Sequence, residues 1–441
     1  MKKDLMPFYN SLLNKIILPI GDVFFGGLYT KYLKEWAAYD LKSEAELKKL
    51  QEERLQNILA YATDKVPFYK NQGFKTLNDF PVLTKDILRN SKEQLISLDY
   101  NSTKLTEHHS SGSTGVQSIT YMTKGHQFYL RALQTHWWKW SGYSVGDNLL
   151  QFGMSQKRTF IKRLKDFFYR CDYVKAFGLT KDELEEIINR SKKRRNLFVT
   201  GYPSVINEFA KAGSESEIYN VKGVVCYGDK LFDGYKKKYL EAFGSDTTII
   251  DTYGCAEGIL MASKKDLDFY YIMSPHVYIE LVDDNCNPVK DGEMGHVLAT
   301  CLTNFGMPLI RYKLGDLAIM LPKEEYPKKR KLNYPLLKKV IGRDTDVVKT
   351  NKGINLSVHS FTGIIEYYQT IKQFKIIQNN LEEIIVEYIV DNEDTFDAAV
   401  INEIKDKFLN LTHNCLNITF RKVEQIKPTK SGKPQIIEFN L

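Results

Sequence analysis

The stretch Ser110-Ser111-Gly112-Ser113-Thr114-Gly115 decides how this chain is read. Hydroxyl side chains and glycines alternate between a polar lead-in, Thr106 to His109, and a strand-like run, Ile119-Thr120-Tyr121-Met122. Glycine lets a backbone approach an anion closely and turn its N–H groups toward it. Ser and Thr hydroxyls add neutral donors, so such a loop can hold phosphate oxygens without a fixed charge. Taken alone, the stretch reads equally well as a flexible Ser/Gly linker. The residues that follow separate the two.

Downstream, further clusters come in order. Asp251-Thr252-Tyr253-Gly254-Cys255-Ala256-Glu257-Gly258 sets an aromatic and a glycine just after a strand, with a carboxylate beyond them. Arg311-Tyr312-Lys313-Leu314-Gly315-Asp316 ends on a second carboxylate. Gly342-Arg343-Asp344-Thr345-Asp346 runs on to Lys352-Gly353-Ile354-Asn355, and Lys427-Pro428-Thr429-Lys430-Ser431-Gly432-Lys433-Pro434 lies near the C-terminus. A P-loop kinase or NTPase is disfavoured, because the Ser/Gly stretch lacks the GxxxxGK[ST] spacing.

The 441 residues can build a large core and suggest two or three domains. With 43% hydrophobic and 12% aromatic residues the chain is an ordinary globular sequence, which excludes an intrinsically disordered one. Its net charge of +8 fits an enzyme of anionic substrates such as nucleotides, and equally a surface with extra lysines. Six cysteines without a CxxC pair read as reduced thiols of a cytoplasmic protein, and the histidines show no HxxxH or HExxH metal spacing. The apolar run Ile16 to Phe25 is broken by Pro19, Gly21 and Asp22 and is too short to span a bilayer. It is expected to be a buried arm; the lesser reading is peripheral contact with a membrane surface, beside the cationic run Lys157 to Arg170.

Hydrophobic periodicity predicts an amphipathic helix over Ala45 to Ala62, ended by Val66-Pro67, and a helix N-cap at Thr84. Strands at Leu149 to Phe152, Leu197 to Gly201, Val221 to Tyr227 and Thr247 to Asp251 alternate with helices, which argues for a covered, largely parallel sheet. From Val277 the texture becomes antiparallel, as in a small barrel, and the basic loop Lys323 to Lys331 reads as a solvated face. The C-terminal part offers helices near Phe361 to Tyr368 and Ala398 to Leu409, with strands Phe374 to Gln378, Ile384 to Val390 and Ile418 to Arg421. The expected fold class is α/β: residues 1–341 as a large domain with parallel-rich sheets and a small barrel-like β subdomain, and residues 342–441 as a small, mobile α+β lid.

The ordered clusters resemble the adenylate-forming superfamily of acyl-CoA synthetases, peptide-synthetase adenylation domains and luciferases, over nearly the whole chain. Arg54 to Tyr69, Phe80 to Asp86 and Thr303 to Tyr312 look like the phenylacetate–CoA ligase-like branch, which includes proteins associated with capsular and surface polysaccharide biosynthesis. The resemblance implies that Ser110, Ser111, Gly112, Ser113, Thr114 and Gly115 hold the β- and γ-phosphates of ATP. It implies that Tyr253 packs on adenine or the reacting phosphates, that Gly254 allows close approach, and that Glu257 ligates Mg²⁺. Gly228-Asp229-Lys230 stands at the adenine-binding loop, Asp316 accepts from the ribose hydroxyls, and Arg343 contacts ribose or phosphate. Lys433 would bridge the substrate carboxylate and the α-phosphate as acyl-AMP and pyrophosphate form. Asp344, Thr345 and Asp346 are the hinge candidates.

The chain also departs from the pattern of the family it resembles. Gln117-Ser118 replaces the usual Pro-Lys after the first loop, Thr345 stands where Asp or Lys is common, and Ser263 to Ser274 lacks the cysteines of a Cys/His metal site. No such site is expected despite Cys255, His276 and Cys301. The acid pocket is expected from Trp137 to Gln151, Tyr202, Val225 to Gly228 and the residues before Glu257. The expected function is ATP- and Mg²⁺-dependent, AMP-forming activation of a small carboxylic acid, followed by transfer to CoA or another acceptor. The alternatives are direct transfer to an amino-sugar amine or a carrier protein without CoA, and a non-catalytic nucleotide-binding protein on the same fold. No nucleic-acid partner is expected.

Overall fold

The computed structural model describes residues 6–439 except 25, 110–117, 154–158, 177–178, 215–219, 344–346, 352–354, 358–360, 362–363, 366–367, 369, 391–395, 413 and 428–435. The expected phosphate loop (Ser110 to Gly115), the hinge candidates Asp344 to Asp346 and the lysine Lys433 therefore lie outside the described residues, as does the side chain of Arg343.

The chain opens with helices α1 (Met6–Leu12) and α2 (Leu18–Phe24), joined by a π-turn segment, Leu13–Ile17. The expectation of a buried arm is corrected here. Leu13 and Asp22 are buried, but Ile16, Ile20, Val23 and Phe24 face outward. Asp22 is used locally: its carboxylate accepts from the backbone N–H groups of Tyr29 at 3.0 Å and Thr30 at 2.9 Å, at the start of α3 (Leu28–Tyr39). Helix α4 (Glu44–Lys65) starts on a capping box, where the Ser43 hydroxyl accepts from the Glu46 N–H and the Glu46 carboxylate accepts from the Ser43 N–H at 2.8 Å. It stops at Val66, whose backbone is extended before Pro67. Thr84 caps α5 (Lys85–Asn90), as its position predicts, by accepting from Ile87 N–H at 3.3 Å.

Strands β1 (Thr106–His109) and β2 (Ile119–Met122) form an antiparallel pair in which His109 stands opposite Ile119. Helix α6 (Lys124–Trp140) follows. An α/β run comes next: β3 (Asn148–Gly153), α7 (Phe160–Phe168), β4 (Cys171–Lys175), α8 (Lys181–Lys192), β5 (Leu197–Gly201), α9 (Pro203–Ser214), β6 (Val221–Cys226), α10 (Asp233–Phe243) and β7 (Thr248–Cys255). The order β4-β3-β5-β6-β7 is parallel throughout. Every residue of β5 is buried, as in a strand covered on both faces. Ile206, Phe209, Tyr239 and Phe243 from the covering helices pack onto this sheet.

The antiparallel strands β8 (Ile259–Ser263), β9 (Tyr270–Ile272), β10 (Val277–Val282), β11 (Met294–Cys301), β12 (Tyr312–Met320) and β13 (Leu336–Arg343) continue the same sheet from β7. The full order is β10-β11-β12-β13-β9-β8-β7-β6-β5-β3-β4. The antiparallel part thus runs on from the parallel part, with β7 as the shared strand and β10 at the open edge. In the basic loop, Arg330 and Lys323 both contact Glu44, at 2.7 Å and 2.9 Å, so part of the expected solvated face is tied to the start of α4.

The C-terminal part comprises the pair β14 (Val347–Lys349) and β15 (Asn355–Ser357), then β16 (Ile371–Gln378), β17 (Glu383–Val390), α11 (Ala399–Leu411), β18 (Asn417–Lys422) and β19 (Ile437–Phe439). Its four-stranded sheet has the order β18-β17-β16-β19. Phe361, Ile376, Val386, Phe408 and Ile418 form its core, and Phe232, from just before α10, is packed into the same cluster.

Candidate active site

Glu257 lies in the tight turn between β7 and β8, where Gly258 N–H bonds the Cys255 carbonyl at 3.2 Å. The carboxylate is buried, and its Oε1 accepts from the Tyr312 hydroxyl at 2.9 Å and from Ser118 Oγ at 3.4 Å. Ser118, the first described residue after 110–117, thus stands beside Glu257. On the other side of 110–117, His109 pairs with Ile119. Together these contacts make 110–117 the connection of a hairpin whose base adjoins the carboxylate.

A second tether runs beside the first. The Tyr253 hydroxyl donates to Asp316 Oδ2 at 2.9 Å. The 253–257 segment is therefore bound to β12 twice, through Tyr253–Asp316 and Glu257–Tyr312. Gly254 sits at the bulge where the β7–β8 register shifts. Asp316 stands directly opposite Arg343 in the β12–β13 pair, so the second, third and fourth sequence clusters meet at one place. Asp251, which opens the second cluster, serves differently. It is buried, burial pushes its carboxyl above the usual range, and Tyr270 donates to it.

The expected adenine-loop residues gather at the carboxyl ends of β5 and β6. Gly228 has φ +82°, and a Cβ there would sit 2.4 Å from the Tyr202 ring, so only glycine fits. Ser204 Oγ donates to Asp229. Lys230 Nζ donates to the Ile341 carbonyl on β13, beside Gly342 and Arg343. Not all of the expected acid pocket comes together here. Trp137 is buried in the helical layer with its indole N–H directed at Met273, and Trp140 donates to Asp40.

Arg311 has a structural part rather than a phosphate-facing one. Buried, at φ +49°, it pairs with Glu280 at 3.2 Å and donates to the Phe80 carbonyl at 3.1 Å. Leu83 N–H reaches the Arg311 carbonyl at 3.1 Å, and Lys313 N–H reaches the Leu83 carbonyl at 3.0 Å. The segment around Phe80 thus clamps the strand that supplies Tyr312 and Asp316.

Sequence reasoning missed a chain of buried side chains behind Glu257. The Leu260 N–H donates to His276 Nε2 at 3.3 Å, which places the His276 proton on Nδ1, where it meets Thr303 Oγ1 at 2.8 Å. The Thr303 hydroxyl can then donate to His126 Nδ1 at 3.2 Å, leaving His126 Nε2–H for the Gly258 carbonyl at 3.2 Å. Accepting from Leu260 requires His276 to be neutral, and the Thr303 hydroxyl donating onward keeps His126 in its neutral Nε2–H tautomer. Burial supplies that state: it lowers His126 to about 4 and His276 well below its ordinary range. The chain grips the turn from its β8 side, at Gly258 and at Leu260. Gly258 itself has φ +89° and leaves no room for a side chain, since a Cβ would lie 1.9 Å from Met122 Cε. No sequence spacing could reveal this chain, because its histidines lie 150 residues apart by number, at 126 and 276.

A magnesium–nucleotide complex fits the residues present. Mg²⁺ favours one or two carboxylates plus substrate phosphates. Glu257 is a buried carboxylate oriented by two hydroxyls on one oxygen, next to the base of a hydroxyl- and glycine-rich loop.

Residues 348–440 match the CapK C-terminal domain family. A phenylacetate–coenzyme A ligase of Thermus thermophilus is 24% identical over 295 residues, 62% of this chain and 66% of that protein, so the match spans just under two thirds of the relative. An indoleacetate–lysine synthetase of Pseudomonas savastanoi is 34% identical over 124 residues, 27% of this chain and 29% of that protein. Among solved structures, 2-hydroxyisobutyryl-CoA ligase in the postadenylation state superposes with a TM-score of 0.72 at 16% identity, covering 90% of each chain. The ordered clusters, the site geometry and these likenesses agree: the chain has the fold of the adenylate-forming ligases, is similar in sequence to phenylacetate–coenzyme A ligases, and carries the CapK C-terminal domain over residues 348–440.

Proposed function

We propose that the protein activates a small carboxylic acid with ATP, forming acyl-AMP and pyrophosphate, and passes the acyl group to CoA. The observation that carries this reading is the double tether of the 253–257 segment to β12. It holds the Tyr253 ring and the carboxylates of Asp316 and Glu257 in one fixed arrangement beside Ser118 at the base of the β1–β2 hairpin.

In this reading Ser110 to Gly115 bind the β- and γ-phosphates, Tyr253 packs on the nucleotide, Asp316 accepts from the ribose, and Gly228 and Asp229 border the adenine. Arg343 adds a ribose or phosphate contact. Glu257 would hold Mg²⁺, which when bound neutralises charge on the phosphate oxygens. Lys433 orients the acid against the α-phosphate, from residues 342–441 acting as a lid on residues 1–341, with Asp344, Thr345 or Asp346 as the pivot. The fixed carboxylates need no rearrangement as charge develops, which lowers the barrier to displacement.

A second acceptor reading draws on the likeness to an indoleacetate–lysine synthetase: the acyl group would pass directly to the amine of an amino sugar, or to a carrier protein, without CoA. The CapK-type domain supports a place in surface polysaccharide biosynthesis, where such amines occur. Pyrophosphate exchange into ATP, scanned over aryl, fatty and amino acids, tests the first step. Lys433→Ala is expected to abolish exchange while ATP still binds, and unchanged exchange would overturn the assignment. Product formation with CoA against amine acceptors then separates the two transfers.

A further inference from the structure

We infer that the N-terminal arm and α7 together form a docking face for an anionic lipid bilayer, which the chain contacts without crossing. Helix α7 turns Phe160, Leu164, Phe167 and Phe168 away from the protein. Phe160 is 79% exposed and Phe167 75%, with Leu164 and Phe168 completing an i, i+4, i+7, i+8 stripe. Ile16, Ile20, Val23 and Phe24 repeat that spacing on the arm, and Phe24 is 84% exposed. A surface helix normally points such a stripe at the core. Here two neighbouring segments point theirs outward.

The two segments are fixed beside each other. The Tyr9 hydroxyl donates to the Phe168 carbonyl at 2.7 Å, and the Arg170 guanidinium stacks on the Tyr9 ring at 4.2 Å. Leu13 anchors the arm in a core cluster with Tyr143, Val145, Leu149 and Phe198. The outward stripes are therefore presented by a docked scaffold.

Charge selects the occupant. Exposed Lys15, Lys162, Arg163 and Lys165 flank the apolar residues. The one acid of α2, Asp22, is buried against α3. A second copy of the chain would bring like charges together across a two-fold axis, whereas anionic headgroups complement them. Phenylalanine and leucine flanked by lysine and arginine suit a helix lying in the plane of a membrane interface. No described helix is long and apolar enough to cross a membrane, so the contact is with one leaflet.

The test is co-sedimentation of the whole chain with vesicles of phosphatidylcholine alone or of equal parts phosphatidylcholine and phosphatidylglycerol. Partition is expected to be roughly tenfold or more stronger into the anionic vesicles and to weaken with added salt. Phe160→Ser/Phe167→Ser and Lys162→Glu/Arg163→Glu are each expected to lose at least about tenfold of it. These residues lie outside the catalytic machinery, so pyrophosphate exchange should persist in both variants and report that they fold. Failure of the wild type to pellet with anionic vesicles at low ionic strength would overturn the proposal. So would wild-type pelleting by the double phenylalanine variant, or a concentration-dependent dimer abolished by that variant in a protein that ignores vesicles.

Discussion

Tyr253 and Asp316 lie 63 residues apart in sequence and share a hydrogen bond of 2.9 Å. The bond couples the ring that would lie on the nucleotide to the carboxylate that would hold its ribose. Tyr253→Phe keeps the ring and removes the donor. A bond to a charged acceptor contributes about 1.5–3 kcal/mol, shared between fold and ligand, so ATP affinity is expected to fall about three- to tenfold. Titration calorimetry with ATP measures this. Wild-type affinity would mean that the pair only braces the fold.

Removing the Tyr312 hydroxyl should loosen Glu257 without removing its charge. In Tyr312→Phe, Glu257 Oε1 keeps only the longer contact to Ser118 among the contacts described above. The Mg²⁺ concentration needed for half-maximal pyrophosphate exchange should rise several-fold with little change in ATP binding. Glu257→Gln should reduce exchange at saturating ATP by about a hundredfold or more. Exchange rates across a Mg²⁺ series distinguish the two.

Thr303 is the one hydroxyl between His276 and His126. Thr303→Val matches its shape but leaves two buried ring nitrogens unsatisfied, at about 1–3 kcal/mol each. A loss of about 2–4 kcal/mol from the urea midpoint is expected, with reduced exchange activity as the Glu257 turn loosens. Thr303→Ser should restore both. If valine is tolerated, the chain does not position the turn.

The same chain predicts a pH window. His126 is neutral in the fold with its pKa lowered from 6.5 to about 4, chiefly by burial. Above the ordinary value, folded and unfolded chains bind no proton there, and the contribution to stability is intact. As pH falls from 6.5 toward about 4 the unfolded chain gains a proton that the folded chain refuses, so stability falls, and it levels once His126 itself protonates. The loss from this residue is about 3 kcal/mol, and His276 acts in the same direction. Denaturation midpoints should show a shallower acid slope for His126→Gln than for wild type.

Much of the fold can be read from residues acting locally. Helix α4 and its stop at Val66, the Thr84 cap, and the alternation of β3, β5, β6 and β7 with helices follow from side-chain period, caps and proline sterics, which operate within a few residues. Helix α7, inside the cationic run, and β4 just after it were not legible. Tyr253, Glu257 and Asp316 were legible as site candidates because their clusters keep a fixed order along the chain. The continuation of the antiparallel strands from β7 was less legible, since a strand's neighbours are chosen by pairing across long separations.

By itself, then, the sequence determined many of the helices and strands and marked short clusters as candidates for a nucleotide site. Only the tertiary structure decided that Tyr253 and Glu257 would be tied to Asp316 and Tyr312, and that two distant histidines would hold the turn between β7 and β8. It also decided that the apolar stripe of the N-terminal arm would face outward. Periodicity shows that a helix has an apolar side; which way that side points depends on what packs against it, and that is settled by residues far away in the chain.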